Sequence, residues 1–321
     1  MTENMDNGAL SAEEIENEIE DEEGTEHVIV DIDAEYIDLN QSRIAKITNL
    51  EELTQVKTLC LRQNLIKKIE GMENLTSLVE LELYDNQLTV VENLDSLVNL
   101  EVLDLSFNRI VKAEGLTNLT KLRRLFFANN KIEKIENVDH LLQLEMLEFG
   151  ANRIRVIENI SPLVNLTSLY LGKNKITRIS GLETLVNLRC LSLQSNRIVK
   201  IEGLEMLENL EELYLSDNGI QTLEALQNNL KLTTIDFGNN RISKIENVRH
   251  LVLLEEFWFN DNKISSWEDL SELASISTLQ TVYLERNPIY YDGEMKQDPT
   301  YRRKIMLALP QVKQIDATMC R

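Results

Sequence analysis

Cysteine and histidine, the residues that most often build metal and redox centres, are scarce: the 321-residue chain has three of each. Cys60, Cys190 and Cys320 are far apart, odd in number and form no C-x-x-C pair. That excludes a zinc ribbon or dithiol redox motif and fits reduced thiols in the cytosol or nucleus. Long apolar runs are also missing. Nothing approaches the roughly eighteen residues that a membrane span needs. The opening stretch, MTENMDNGALSAEEIENEIEDEEGTEH, lacks the basic start and apolar run of a secretory leader. The N-x-S/T sequons at Asn40, Asn74, Asn118, Asn159 and Asn165 therefore read as by-products of repetition, not glycan sites. No P-loop, GxGxxG, HExxH or GxSxG occurs.

Positive charge is absent from the first 28 residues, which hold eleven acidic ones. About half of the formal net charge of -21 lies there. Such a segment buries little and repels itself, so residues 1–30 are expected to be an acidic, disordered, solubilising tail.

What the chain has in abundance is one sentence repeated. LELYDNQL, LDLSFNRI, LFFANNKI, LEFGANRI and LYLGKNKI carry Asn86, Asn108, Asn130, Asn152 and Asn174, each 22 residues after the last. The series extends back to Asn64, with Ser42 in the slot before it, and forward through Asn196, Asn218, Asn240 and Asn262. It then skips to Asn287, 25 residues on. These are twelve copies of L-x-x-L-x-L-x-x-N-x-I/L, the leucine-rich repeat. In each Leu-x-Leu the two leucines point inward and the residue between them points out. The asparagine sits where the chain leaves its strand, and its amide can both donate to and accept from backbone groups the turn would orphan. A single coil cannot bury its apolar face, whereas stacked coils can.

The predicted fold is an α/β right-handed leucine-rich-repeat solenoid. It has parallel strands on the concave face, short helical or 3₁₀ returns on the convex face and a helical C-terminal cap. The solenoid spans residues 31–288 and the cap 289–321, with an entry strand in HVIVDIDAEYIDL. Within the last return, Ser265 and Glu268 are spaced as a capping box. In DPTYRRKIMLALP, Asp298 is the N-cap, Pro299 the first helical position and Pro310 the stop, with Tyr301, Ile305 and Leu309 on one covering face.

In a solenoid the informative positions are those the repeat does not dictate. Four residues before each asparagine the series reads Asp38, Cys60, Glu82, Asp104, Phe126, Glu148, Tyr170, Ser192, Tyr214, Asp236, Trp258 and Tyr283. Six before, it includes Tyr36, Glu80, Arg124, Cys190, Glu212 and Glu256. Together these 24 slots hold six of the chain's 17 aromatics, eight carboxylates and one basic residue, Arg124. Exposed rings bordered by acid describe a protein interface. Carboxylates favour a basic partner surface and disfavour nucleic acid, whose phosphates need Lys and Arg. At about 4.8 Å per strand, twelve coils give a face of roughly 50 Å, suited to a folded partner. His140 and His250 occupy one register five copies apart, roughly 24 Å, too far to share a metal. Paired acids such as Glu80 and Glu82 lack the closed pocket that acid–base catalysis needs. Neither catalysis, metal nor cofactor is expected.

The 22-residue copies, the recurrent KIExxxxL, LYLGKNKIT, TVYLERNP and the terminal DPTYRRKIMLALPQVKQIDA resemble a family, the leucine-rich-repeat regulatory subunits of protein phosphatase 1. The resemblance covers roughly residues 30 to 321. It implies a non-catalytic subunit whose concave face binds the phosphatase catalytic subunit through Asp104, Phe126, Glu148, Tyr170, Asp236, Glu256, Trp258 and Tyr283. The slot census adds Tyr214 and Glu82. The family tends to have phenylalanine where this chain has Tyr170, and the insert IYYDGEMKQ is longer than the family's usual join. A short basic-x-Val/Ile-x-Phe/Trp docking motif, common in other phosphatase subunits, does not occur.

The resemblance further implies control of activity and maturation, with the enzyme held inactive and metal-deficient, and a ternary complex with inhibitor-3. It also implies a role in mitosis and chromosome segregation, in nucleus and cytoplasm; the subunit alone is expected to be monomeric. A structural adaptor of cytoskeletal or ciliary assemblies would use the same face and is the alternative.

Overall fold

The computed structural model describes residues 31–320; the expected acidic tail and His27 fall outside the described residues. Each repeat contributes one three-residue strand. These are β1 (Tyr36–Asp38), β2 (Thr58–Cys60), β3 (Glu80–Glu82), β4 (Val102–Asp104), β5 (Arg124–Phe126) and β6 (Met146–Glu148). They continue as β7 (Ser168–Tyr170), β8 (Cys190–Ser192), β9 (Glu212–Tyr214), β10 (Thr234–Asp236), β11 (Glu256–Trp258) and β12 (Thr281–Tyr283). All twelve run parallel in chain order, in the register the period dictates: Leu81 faces Leu103, and Asp236 faces Trp258. One apolar core runs from Ile37 to Ile315. Its leucine ladders are broken by the ring stacks Phe127–Phe149, at 5.3 Å, and Phe257–Phe259, at 3.8 Å.

The asparagines join coil to coil. Asn152 accepts the Ile132 N–H at 3.0 Å and donates to the carbonyls of Phe127 at 2.8 Å and Phe149 at 3.1 Å. Asn108, Asn130 and Asn174 repeat the pattern. Every ladder asparagine from Asn64 to Asn287 is buried except Asn196 and Asn218, which are half-buried. The residue just before each one is left-handed, from Gln63 (φ 55) through Phe107 (φ 55) to Arg286 (φ 56), as is Gln41 (φ 58) before Ser42 in the first coil. That conformation aims the asparagine inward and ends the strand after three residues.

A second 22-residue series lies on the opposite side of the coil. Asn49, Gly71, Asn93, Gly115, Asn137, Asn159, Gly181, Gly203, Ala225 and Asn247 all have positive φ. Where asparagine fills the slot it reaches the preceding coil, as Asn93 does to the Ile69 carbonyl and Asn159 to the Ile135 carbonyl, both at 2.7 Å. At Gly115 the coils approach so closely that a Cβ would lie 2.4 Å from the Val91 oxygen. The five sequon asparagines all bond to a neighbouring coil, Asn159 from this corner and Asn40, Asn74, Asn118 and Asn165 from other slots.

The returns differ from expectation. Among the described residues they are extended chain and turns, with no helix before residue 267. With 22 residues per coil and two left-handed corners, too little chain remains to wind a helical turn. Among the returns between described strands, helix appears only in the one where the spacing lengthens to 25: a 3₁₀ turn at Trp267–Leu270, then α1 (Ser271–Ala274). Its cap is Ser266, not Ser265, because the turn starts at Trp267; the Ser266 hydroxyl accepts the Glu268 N–H at 3.1 Å.

At the C-terminal end, α2 (Tyr301–Ala308) covers the last coil with Tyr301, Ile305 and Leu309, all fully buried. The helix starts at Tyr301 with Thr300 as its N-cap, so neither Asp298 nor Pro299 holds the place the spacing gave it; both lie in the turn before the helix. Asp298 braces that turn instead: its pairing with Lys304 and its acceptance of the Thr300 N–H at 2.7 Å hold its carboxyl down at about 2. The insert at 289–297 forms a separate loop closed by a Tyr291–Gln297 bridge, and α2 packs despite it.

The chain then re-enters the sheet, which the repeat pattern did not foretell. β13 (Gln314–Ile315) pairs parallel with β12, and β14 (Thr318–Met319) turns back antiparallel. Asp316 ends the asparagine ladder by accepting the N–H groups of Leu284 and Glu285 at 2.9 and 3.0 Å.

Two stability predictions follow from these ladders. Asn152→Ala orphans a buried N–H and should lower unfolding free energy by about 1–3 kcal/mol; a wild-type denaturation midpoint would refute the account. Asn229 is the converse case. It is fully buried in a slot that holds Leu207 and Leu251 in adjacent coils, and its Oδ1 has no partner among the described residues. Its amide donates to the Leu204 and Leu207 carbonyls, which already accept the Leu207 and Leu210 N–H groups. Asn229→Leu should therefore raise stability by about 1 kcal/mol or more, read as a higher midpoint in urea.

Candidate functional site

The pleat sorts the side chains of each strand. In β11 Phe257 and the following Phe259 are fully buried, while Trp258 between them faces out and is half-buried. Trp258 stacks on Tyr283 of β12 at 4.7 Å and 28°, and its indole N–H donates to Glu256 at 3.1 Å. Tyr214 donates to Glu212 at 2.9 Å in the same way. All ten residues picked from the sequence, Glu82, Asp104, Phe126, Glu148, Tyr170, Tyr214, Asp236, Glu256, Trp258 and Tyr283, lie half-buried on this one face.

The small residues in the same rows, Cys60, Cys190 and Ser192, are overshadowed by longer neighbours and buried. Burial pushes the Cys60 thiol up to about 12 and the Cys190 thiol to about 11, away from thiolate chemistry.

The carboxylates serve the fold as well as the face. Asp104 accepts the Ser106 N–H at 2.9 Å and Asp236 the Gly238 N–H at 3.0 Å, each bracing the turn that follows its strand. Burial raises the carboxyls of Asp104, Glu148 and Asp236 above the usual range; the bonds from Ser106 and Gly238 oppose it only in part. Partly desolvated acid of this kind exerts more force on an incoming cation than acid in bulk water.

The face extends one step beyond the strand slots, onto a rim. The residues one and two before each asparagine also border the face. Arg62 folds across to pair with Glu82, so that acid is partly neutralised. A groove of about 600 Å³ joins Asp236, Trp258 and Tyr283 to Asp217, Asp261 and Arg286. Arg286 pairs with Asp261, lowering its carboxyl, and with Glu285. Two smaller grooves, of about 370 and 350 Å³, meet at Phe107. Reading the two slots before the asparagine as a census, like the slots four and six before it, would have found these residues.

Another groove, of about 630 Å³, is on the flank. None of the ten residues lines it, and its arginines are already paired, Arg123 with Glu145 and Arg189 with Glu211. The two repeat histidines are structural. His140 and His250 place Nε2 3.1 and 3.0 Å from the Leu116 and Leu226 carbonyls of the preceding coil. Asn118 and Asn228 fill the same slot elsewhere and donate to the carbonyls of Asp95 and Glu205.

Known proteins repeat both the architecture and part of the sequence. The family described as Leucine Rich repeats (2 copies) matches residues 76–118, 98–140, 164–206, 186–228 and 208–251. An internalin (inlF) of Listeria monocytogenes superposes with a TM-score of 0.72 at 23% identity, covering 89% of this chain and 87% of that one. A leucine-rich-repeat protein of Leptospira interrogans does so with 0.67 at 22%, over 83% and 74%. At that identity the likeness concerns the fold.

In sequence, Protein phosphatase 1 regulatory subunit 7 of Xenopus tropicalis is 55% identical over 58 residues, 18% of this chain and 17% of that protein. The Bos taurus protein of the same name is 60% identical over 50 residues, covering 16% and 12%. The Protein phosphatase 1 regulatory subunit SDS22 homolog of Caenorhabditis elegans is 60% identical over 43 residues, covering 13% and 12%. These matched stretches span less than a fifth of the relatives' length. The chain is built as a leucine-rich-repeat solenoid and, over those stretches, resembles protein phosphatase 1 regulatory subunit 7.

Proposed function

We propose that this chain is a non-catalytic regulator that binds the catalytic subunit of protein phosphatase 1 on its strand-lined concave face. The observation that carries the reading is the row of half-buried rings and desolvated acids on one sheet, interrupted at Ser192, in a chain whose relatives are named for that enzyme. Trp258 and Tyr283 act as the aromatic anchor, with Asp104, Phe126, Glu148, Tyr170, Tyr214, Asp236, Glu256 and Glu82 along the contact. A basic surface on the enzyme is attracted by the acid, an effect that salt weakens. On this reading the subunit holds the enzyme inactive and metal-deficient during maturation, inhibitor-3 joins the complex, and the assembly acts in nucleus and cytoplasm, including in mitosis. The family resemblance supports these finer points.

Trp258→Ala should weaken binding of the catalytic subunit by about 2 kcal/mol or more, as central aromatic anchors do, with little change in the melting transition. Unchanged affinity by calorimetry would remove the anchor. Pull-down that recovers axonemal or tubulin partners without phosphatase would favour a cytoskeletal adaptor instead. Asp236→Asn gives an opposite pair of signs. A carboxyl raised by burial costs stability above its folded pKa, and the cost fades as pH falls through that value. The amide keeps an acceptor for the Gly238 N–H and sheds the charge. At pH 7 the variant should melt at or above wild type while binding the basic partner more weakly; a lower melting point would contradict this.

A further inference from the structure

One aromatic on the rim is unexplained by the fold. Phe107 is 41% exposed and has a left-handed backbone, φ 55. A bulky side chain is out of place in that conformation, and an exposed ring gains little from burial. The equivalent corners of the other coils hold small or polar residues, from Asn129 and Asn239 to Lys173 and Arg286, and Phe107 alone among them is aromatic. The Phe107 ring does not enter the core; it lies over Tyr84 of the neighbouring coil, centroids 4.8 Å apart at 45°. An exposed ring at a corner that the other coils fill with small or polar residues points to a binding role.

Its surroundings say what it would bind. Phe107 stands between two grooves. One runs past Glu82, Asp104 and Phe126; the other crosses a flat floor of Ala128, Gly150 and Gly172 toward Glu148 and Tyr170. At Gly172 the Gln194 side chain lies where a Cβ would point, so that end of the floor is covered by a movable amide. Apolar ring surface is therefore bordered by desolvated carboxylates and is continuous with the face described above.

We infer that the Phe107–Tyr84 pair is a second anchor, which receives an aliphatic or aromatic side chain carried on a basic segment of the protein seated on the concave face. This rests on the proposed function and adds a contact at its N-terminal half, on the rim and away from Trp258. Chemistry selects the occupant: the ring pair takes the apolar side chain, and Asp104 and Glu148 take its cationic neighbours.

The test is Phe107→Asn, which relieves the backbone and removes the ring, measured beside Trp258→Ala. Affinity for the phosphatase catalytic subunit and thermal melting are read on the same preparations of the full chain. The expected result is a tenfold or greater loss of affinity with a melting point equal to or above wild type. If Trp258→Ala loses affinity and Phe107→Asn does not, the second anchor is refuted and the proposed function stands. A lower melting point for Phe107→Asn would also overturn the inference, because the ring would then be serving the fold. If wild type itself fails to bind the catalytic subunit, the proposed function falls and the second anchor with it.

Discussion

The asparagine hydrogen bond between coils is the constraint on which the rest of the molecule depends. A three-residue strand is too short to fix its own register, and leucine against leucine tolerates sliding. The Asn152 amide does not. It accepts from Ile132 and donates to Phe127, locking two coils at one height and one azimuth. Repeated from Asn64 to Asn287, the bond turns a soft apolar stack into a rigid bar, and the outward residues become a surface of fixed spacing.

That rigidity is also what lets the face carry charge. Asp104 and Asp236 are held by the backbone N–H groups of Ser106 and Gly238, so they cannot swing away into solvent to recover hydration. Their raised carboxyls record the resulting desolvation. Trp258 is likewise pre-set by Tyr283 and Glu256. A partner meeting this surface orders few side chains on the solenoid side, which lowers the entropic cost of association.

Much of this was legible in the sequence because translation by 22 residues is a one-dimensional signal. The strand slots, the inward leucines, the ladder asparagines and the outward position of Trp258 all follow from counting. What escaped counting has physical causes. The Asn/Gly series through Asn93 and Gly115 was hidden because two dissimilar residues solve the same left-handed corner by different means: one hydrogen-bonds, the other vacates space. Phe107 stands in the corner before its ladder asparagine, a slot whose residue type varies from coil to coil and so carries no period. The closing strands β13 and β14 lie beyond the last repeat, where no period remains to be read. Ser266 capping instead of Ser265 shows how a single-residue shift at a turn escapes a spacing rule.

The in-register parallel stacking has a metrical consequence. Because Asp104, Phe126, Glu148 and Tyr170 occupy one slot on consecutive coils, they form a comb whose teeth are about 4.8 Å apart. Whatever docks there must present its own groups on a commensurate ruler. Gain or loss of a whole coil shifts every downstream tooth by one interval without altering any of them, so the pitch is set by the backbone and the message by the order of the letters.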